Sequence, residues 1–313
     1  MNSILVEEDK GVFAQLESFA ANQTSPTFGV HALCGRFIDQ IPKITQLIQK
    51  NAPNPFKFVF LDPKGWTDIP MRQMEPFLKN RSCEVLINLM TRHIIRFLDE
   101  PDRADSYNNL FGRSEVLDIL QKTPRPQRTE QAVREYGRSL KLLCGFKYVS
   151  SALILEPNED SVKYYLVYAT NDFKGIEVFK KAESTAARIQ DDIRVETRLQ
   201  RTGQTEFLLE GGSKQSRLIV DLRSRYRGLA REKVVEILLA NTGSRGIACA
   251  DLYCEAMAFP LVTPEDLVNW LRELEPSIEI SLAGPGKRKK PSPGREDRVV
   301  VVNPKALSQR GND

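Results

Sequence analysis

Ser3-Ile4-Leu5-Val6-Glu7-Glu8-Asp9-Lys10-Gly11-Val12-Phe13-Ala14-Gln15-Leu16 reads as a strand, an acidic turn and a helix. The apolar run Ile4–Val6 suits a buried strand, and Val12, Phe13, Leu16 and Phe19 fall on one face of the helical segment behind it. A carboxylate at the carboxyl end of a parallel strand is where nucleoside-binding α/β domains hold ribose, because it can accept from both hydroxyls. Such a strand is normally the second of its sheet. Only Met1 and Asn2 stand ahead of this one, so the stretch predicts an α/β domain that starts one strand–helix unit late, with no glycine-rich turn before it.

Outward from there, the first half keeps alternating. Thr27–Leu33 reads as a strand, Asp39–Gln49 as a helix and Phe56–Leu61 as a strand that ends in Asp62-Pro63-Lys64-Gly65-Trp66. Met71–Leu78 reads as a helix, Glu84–Leu89 as a strand and Thr91–Leu98 as a helix. A polar loop leads to a helix over Arg128–Leu142. Lys147–Leu155 and Val162–Ala169 then form a hairpin around the turn-rich Glu156-Pro157-Asn158-Glu159-Asp160. Parallel units closing on an antiparallel hairpin describe the Rossmann-like methyltransferase sheet, of strand order three-two-one-four-five-seven-six. On that scheme strand one is missing, and its place lies between Ile4–Val6 and Phe56–Leu61.

The remainder reads differently. Gln190–Gly228 is polar and broken by Gly203, Gly211 and Gly212, with a short strand expected near Phe207–Leu209. Val234, Val235, Leu238 and Leu239 mark a helical face, and Ala248–Met257 a second helix. Thr263 as N-cap, Pro264 behind it and Glu265 and Asp266 in the first turn start a third helix. Strands Ile278–Leu282 and Arg298–Val302 flank a basic loop, which completes a winged-helix layout. The expected division is an incomplete α/β domain over 1–187, a linker over 188–228, a winged-helix-like domain over 229–305 and a tail over 306–313.

Composition narrows the function classes. With 41% hydrophobic and 27% charged residues the chain predicts packed cores rather than disorder. No apolar run approaches the roughly 20 residues of a membrane span. Glu7, Glu8 and Asp9 interrupt the only N-terminal apolar run, so no signal peptide is expected and the predicted location is cytoplasmic. Five scattered cysteines without a CxxC pair, and two histidines, argue against a metal centre.

Several blocks together resemble the three-Cys-motif partner family of methyltransferase-like proteins. They are Val6-Glu7-Glu8-Asp9-Lys10, Phe60-Leu61-Asp62-Pro63-Lys64-Gly65, Leu86-Ile87-Asn88-Leu89-Met90-Thr91-Arg92 with Arg96-Phe97, Leu110-Phe111-Gly112, Tyr164-Tyr165-Leu166 and Asn171 through Val178. The resemblance covers most of the chain. It departs in three places: the N-terminal glycine-rich motif is missing, Lys64 stands where an aromatic residue is more usual, and Cys34-Gly35-Arg36 lacks the acid that many methyltransferases place there for adenine.

The resemblance implies S-adenosylmethionine as cofactor and a separate three-Cys-motif protein as partner; nucleic acid is the expected substrate from the Asp62 block and the basic loop. Glu7 and Arg36 are the candidate cofactor-binding residues; a solvated turn acid is the other reading of Glu7. Asp62, Pro63 and Trp66 are the catalytic candidates. In amino-group methyltransferases a similar block accepts the target amino hydrogens and stacks an aromatic ring on the base. The other reading is a tight turn with Trp66 in the core. Asn88 and Arg92 follow the next strand and could line the same cleft. Lys287, Arg288, Lys289 and Lys290 are the candidate nucleic-acid contacts, alternatively a solvated hairpin tip. Asn269 and Arg272 could reach a duplex, although Glu265, Asp266, Glu273 and Glu275 share their helix. The rival function is a non-catalytic DNA- or protein-binding module built on a degenerate methyltransferase scaffold.

Overall fold

The computed structural model describes residues 2–51, 55–79, 82–202, 216–243, 245–283, 291 and 296–310. The chain is a mixed α/β protein with mixed sheets. Strand β1 (Asn2–Glu7) pairs in parallel with β2 (Gly29–Cys34), Ile4 opposite His31 and Val6 opposite Leu33. Their crossover is helix α1 (Lys10–Gln23). Asp9 starts it by accepting from the N–H groups of Gly11 and Val12 at 2.8 and 2.9 Å. Helix α2 (Phe37–Asn51) then leads to β3 (Lys57–Leu61), α3 (Met71–Leu78) and β4 (Cys83–Leu89).

β3 and β4 are parallel, with Phe58 opposite Glu84 and Leu61 opposite Ile87. The chain continues through α4 (Thr91–Arg96), α5 (Ala104–Phe111), α6 (Val116–Lys122) and α7 (Arg128–Leu142) into the hairpin β5 (Tyr148–Leu155) and β6 (Val162–Thr170). β6 inserts antiparallel between β4 and β5, so the second sheet runs β3-β4-β6-β5. Among the described residues β1 pairs only with β2 and β3 only with β4, and the two sheets share no ladder. The edges of β1 and β3 thus do not close up on one another.

The polar loop expected ahead of Arg128 holds α5 and α6. Tyr107, Leu110 and Phe111 are buried on α5, and Gly112 ends it at φ 65°, where an added Cβ would come within 2.6 Å of Leu143. The expected linker is not one. The 30-residue helix α8 (Phe173–Thr202) runs into it, and the 24-residue helix α9 (Arg217–Ala240) runs out of it. The strand expected near Phe207–Leu209 lies outside the described residues.

The inward stripe of α8 explains the difference. Lys180, Glu183, Ala187, Asp191 and Arg194 recur at helical spacing and are all buried. Lys180 pairs with Glu183 and donates to the Phe259 carbonyl at 2.9 Å. Asp191 accepts from the Ser216 N–H at 3.0 Å, and Arg194 binds Asp160 at 2.7 Å and the Glu156 carbonyl. Four of these five residues are charged, so the stripe carries no apolar period although the helix is anchored along its length.

Beyond α9, β7 (Ile247–Ala248), α10 (Cys249–Ala256), α11 (Pro264–Glu273), β8 (Ile278–Ser281) and β9 (Arg298–Val301) add two helices and a sheet of order β7-β9-β8. Thr263 and Asp266 form a reciprocal capping box at the start of α11. The expected tail begins inside α12 (Pro304–Arg310), whose Leu307 is fully buried. These elements share one apolar core with the first half. It runs from Leu33 and Ile44 through Val85 and Val167 to Leu238, Trp270 and Leu307, so the packing shows no seam at residue 228. The outer edge of β5 is sealed from the same side: Ser151 N–H and Oγ both donate to the Ala258 carbonyl, at 3.2 and 2.8 Å. No helix among the described residues is long and apolar enough to cross a membrane.

Candidate functional site at the carboxyl ends of the parallel strands

Three polar pairs gather where β1, β3 and β4 end. Glu7 closes β1. One of its carboxylate oxygens accepts from the Asp9 N–H at 2.8 Å and lies 4.0 Å from Lys64 Nζ. The acid is therefore half-buried and oriented by its own turn. Lys64, three residues past β3, brings the carboxyl ends of the two sheets together. Arg36, just past β2, reaches Asp68 at 3.8 Å in the same way. These contacts are exposed and individually weak, well within the 0–1 kcal/mol range of surface pairs. The neighbouring Asp9 carboxyl is held below its ordinary range by the N–H groups of Val12 and Gly11.

The third pair sits on the second sheet. Leu61 faces Ile87 in the ladder, which sets the next residues, Asp62 and Asn88, side by side. Asn88 Nδ2 donates to Asp62 Oδ1 at 2.7 Å. Asn88 is 6% exposed, and its own Oδ1 is buried without a hydrogen-bond partner among the described residues. Asp62 itself is exposed, a carboxylate fixed from below by a buried amide. Chemically it is an oriented acceptor for an N–H or O–H group approaching the strand ends.

The other expected residues fall elsewhere. Pro63 follows Asp62 in the same turn. Trp66 was expected over a substrate base, but it is 5% exposed and packs on Tyr107, ring centroids 4.9 Å apart, so its ring serves the core. Arg92 stays at the carboxyl end of β4 but reaches the neighbouring hairpin. It donates to the Val162 carbonyl at 3.0 Å and to Ser161 Oγ at 2.6 Å, bracing the β5–β6 turn. On α11, Asn269 and Arg272 are exposed, but so are Glu265, Glu273 and Glu275, which leaves that face acidic. Lys287, Arg288, Lys289 and Lys290 lie outside the described residues.

Asp68 belongs to the cluster although no motif marked it, since a lone acid in a turn carries no signal. Other clefts are lined by different residues. One of about 460 Å³ lies between α7, β5 and the Ala258–Pro260 segment, lined by Arg134, Arg138 and Lys141 against Glu130 and Glu255. Among the described residues no group of three or more His, Cys, Asp or Glu side chains could hold a metal ion. No family model, curated protein or solved structure matches this chain.

Proposed function

We propose that this chain is built on the plan of the S-adenosylmethionine-dependent methyltransferases, with its ligand site at the carboxyl ends of β1, β3 and β4. The observation that carries the reading is the strand order. Set edge to edge, the sheets β2-β1 and β3-β4-β6-β5, with β6 antiparallel, would give the order three-two-one-four-five-seven-six with strand one left out. Open α/β sheets bind ligands at the carboxyl ends of their strands, beside the point where the winding reverses, and on this plan that point falls between β1 and β3.

S-adenosylmethionine would meet a half-formed site. Glu7 suits the ribose hydroxyls by type and position. The methionine end needs backbone N–H donors from a turn between β1 and β3, and the described residues supply none. They fit the nucleoside end of the cofactor and not the rest. Asp62, held by Asn88, would accept a hydrogen from a target amino group and orient its lone pair. Nucleic acid is one substrate class that offers such an amine, and a three-Cys-motif protein would be the separate partner. The sheet β7-β9-β8 with α9, α10 and α11 supports the winged-helix reading, in which the basic run 287–290 of the sequence would supply nucleic-acid contacts.

The second reading is a scaffold without catalysis. It is favoured by Trp66, which is buried in the core, and by the acidic exposed face of α11. Titration calorimetry separates the two. Residues 1–313 should bind S-adenosylmethionine weakly or not at all, and a form that includes a strand–turn–helix ahead of β1 should bind it well. In that form Glu7→Ala should weaken binding by about 1–3 kcal/mol, as for a lost charged hydrogen bond. Asp62→Ala should abolish methyl transfer to nucleic acid while leaving cofactor affinity intact. Failure of the longer form to bind the cofactor would leave the scaffold as the function.

A further inference from the structure

The cleft of about 460 Å³ beside α7 shares no residue with the strand-end site. Its volume lies in the ordinary range for a small-molecule pocket, roughly 300–1,000 Å³. Four acids line it, and each is already held by a base. Glu130 meets Arg225 at 3.1 Å, Glu135 meets Arg113 at 2.8 Å, Glu236 meets Lys233 at 2.8 Å, and Glu255 binds Lys141. Arg134 and Arg138 line the same cleft, and among the described residues neither has a carboxylate within 4.0 Å. Arg138 acts on Glu115 only through space, and the hydrogen bond of that acid goes to Arg113. Arg134 rests over the Phe259 ring, 5.7 Å from its centroid. Two exposed guanidinium groups are thus left over on one wall.

The amino-terminal part of the same helix has the opposite need. Glu130, Arg134 and Arg138 follow one another at four-residue spacing on α7. The helical rise therefore puts Glu130 about 6 Å from Arg134 and about 12 Å from Arg138 along the axis. One Glu130 oxygen takes Arg225; the other, Oε2, is buried without a hydrogen-bond partner among the described residues. Tyr165 and Tyr226, each 2% exposed, line the cleft with their hydroxyls 2.7 Å apart. One bond between two hydroxyls uses one hydrogen and leaves the other to donate. Burial raises both hydroxyls and the Glu130 carboxylate adds to that, an influence of a charge close to the pair. This end therefore lacks one donor, for Glu130 Oε2, and one acceptor, for a tyrosine hydrogen. Val133, Val149 and Val167 supply apolar wall between the polar ends.

We propose that this cleft is a binding site for a nucleoside monophosphate. Phosphate is the anion that suits two free guanidinium groups, since it carries up to two charges and offers paired oxygens to each fork. At the other end the base donates an N–H to Glu130 Oε2 and accepts from the tyrosine pair through the neighbouring ring nitrogen or carbonyl, a combination every nucleobase edge provides. The length of the cleft selects against an α-amino acid, whose amine and carboxylate share one carbon and cannot reach both ends. The inference goes beyond the proposed function, because it concerns other residues and a ligand that S-adenosylmethionine, which has no phosphate, does not resemble at the arginine end.

The test is equilibrium dialysis of the 313-residue chain against the four ribonucleoside 5′-monophosphates in turn. At least one should bind saturably, one per chain. Its nucleoside, which lacks the phosphate, and ribose 5-phosphate, which lacks the base, should each bind at least about tenfold more weakly. The double variant Arg134→Gln, Arg138→Gln changes two exposed residues, so Tm should hold while nucleotide affinity falls about 10–100-fold and nucleoside affinity does not change. Glu130→Ala should weaken nucleotide and nucleoside alike; where it lowers Tm, the arginine variant decides. No saturable binding by any of the four, a nucleoside or ribose 5-phosphate as tight as the nucleotide, or an arginine variant that binds undiminished would overturn the proposal. So would displacement by S-adenosylmethionine, since the nucleotide would then occupy the strand-end site. The readouts need neither methyl transfer nor a longer chain, so their failure is distinguishable from failure of the proposed function.

Discussion

Trp66 and Asp62 stand four positions apart in one turn and have opposite fates. The Trp66 ring lies on Tyr107, tilted 51° to it, and Tyr107 is itself fully buried with its hydroxyl donating to the Ile94 carbonyl. A large buried aromatic of this kind is worth about 3–5 kcal/mol on truncation to alanine. Trp66→Ala should therefore lower the unfolding free energy measured in urea by that amount, and Trp66→Phe by clearly less. A Trp66→Ala protein as stable as the parent would return the ring to the substrate side. Asp62 was legible because an acid after an apolar strand marks the ligand end of a parallel sheet. Its partnership with Asn88 depends on the register of β3 against β4, which fixes who faces whom and which no local pattern encodes.

Most elements that bury apolar stripes were legible, the short helices α5 and α6 excepted, and the long helix held by charge was not. Met71–Leu78 and Arg128–Leu142 match their predicted bounds because Met71, Met74 and Phe77, and Val133, Tyr136 and Leu140, recur with the helical period. Helix α8 escaped because its buried stripe is Lys180, Glu183, Asp191 and Arg194, each satisfied by a residue distant in sequence or one turn away. Helix α1 is the element whose start can be tested by pH. The Asp9 carboxylate caps it, and the Val12 and Gly11 N–H groups hold its pKa below the ordinary 3.8. A depressed folded pKa means the cap stabilises above that ordinary value and is lost as pH falls through the lower, folded one. Near pH 7 Asp9→Ala should melt below the parent. The difference should shrink below about pH 3.8 and vanish once Asp9 is protonated. Asp9→Asn keeps a neutral acceptor at the cap, so its melting should lack this pH-dependent step. A parent and Asp9→Ala pair whose difference persists undiminished at low pH would show that the carboxylate charge is not what holds the helix start.

At the scale of the molecule, the two halves predicted as separate domains depend on each other through buried polar groups. Lys180 and Glu183 are 4% and 7% exposed, and burial works against charge on both, lowering the amine and raising the acid. What offsets that cost comes from each other and from the distant segment that holds the Phe259 carbonyl and the Leu261 N–H, the latter donating to Glu183 at 2.9 Å. Leu261 accepts a left-handed backbone, φ 60°, in making that bond. Ser150 and Ser151 of the edge strand likewise donate to the carbonyls of Met257 and Ala258. Removing the segment would strand a buried ion pair and an edge strand at once. The two hydrogen bonds to charged groups that would be lost are worth about 1.5–3 kcal/mol each, a large part of the ~5–15 kcal/mol that holds an ordinary domain. Expressed separately, residues 1–215 and 216–313 should each aggregate or melt without a cooperative transition, and co-expressed they should elute as one complex. The intact chain should show a single calorimetric transition whose measured enthalpy equals its van't Hoff enthalpy. Two resolved transitions, or a soluble and sharply melting 216–313 fragment, would mean that the C-terminal helices and sheet fold on their own and that the polar seam along β5 and α8 is only a docking contact.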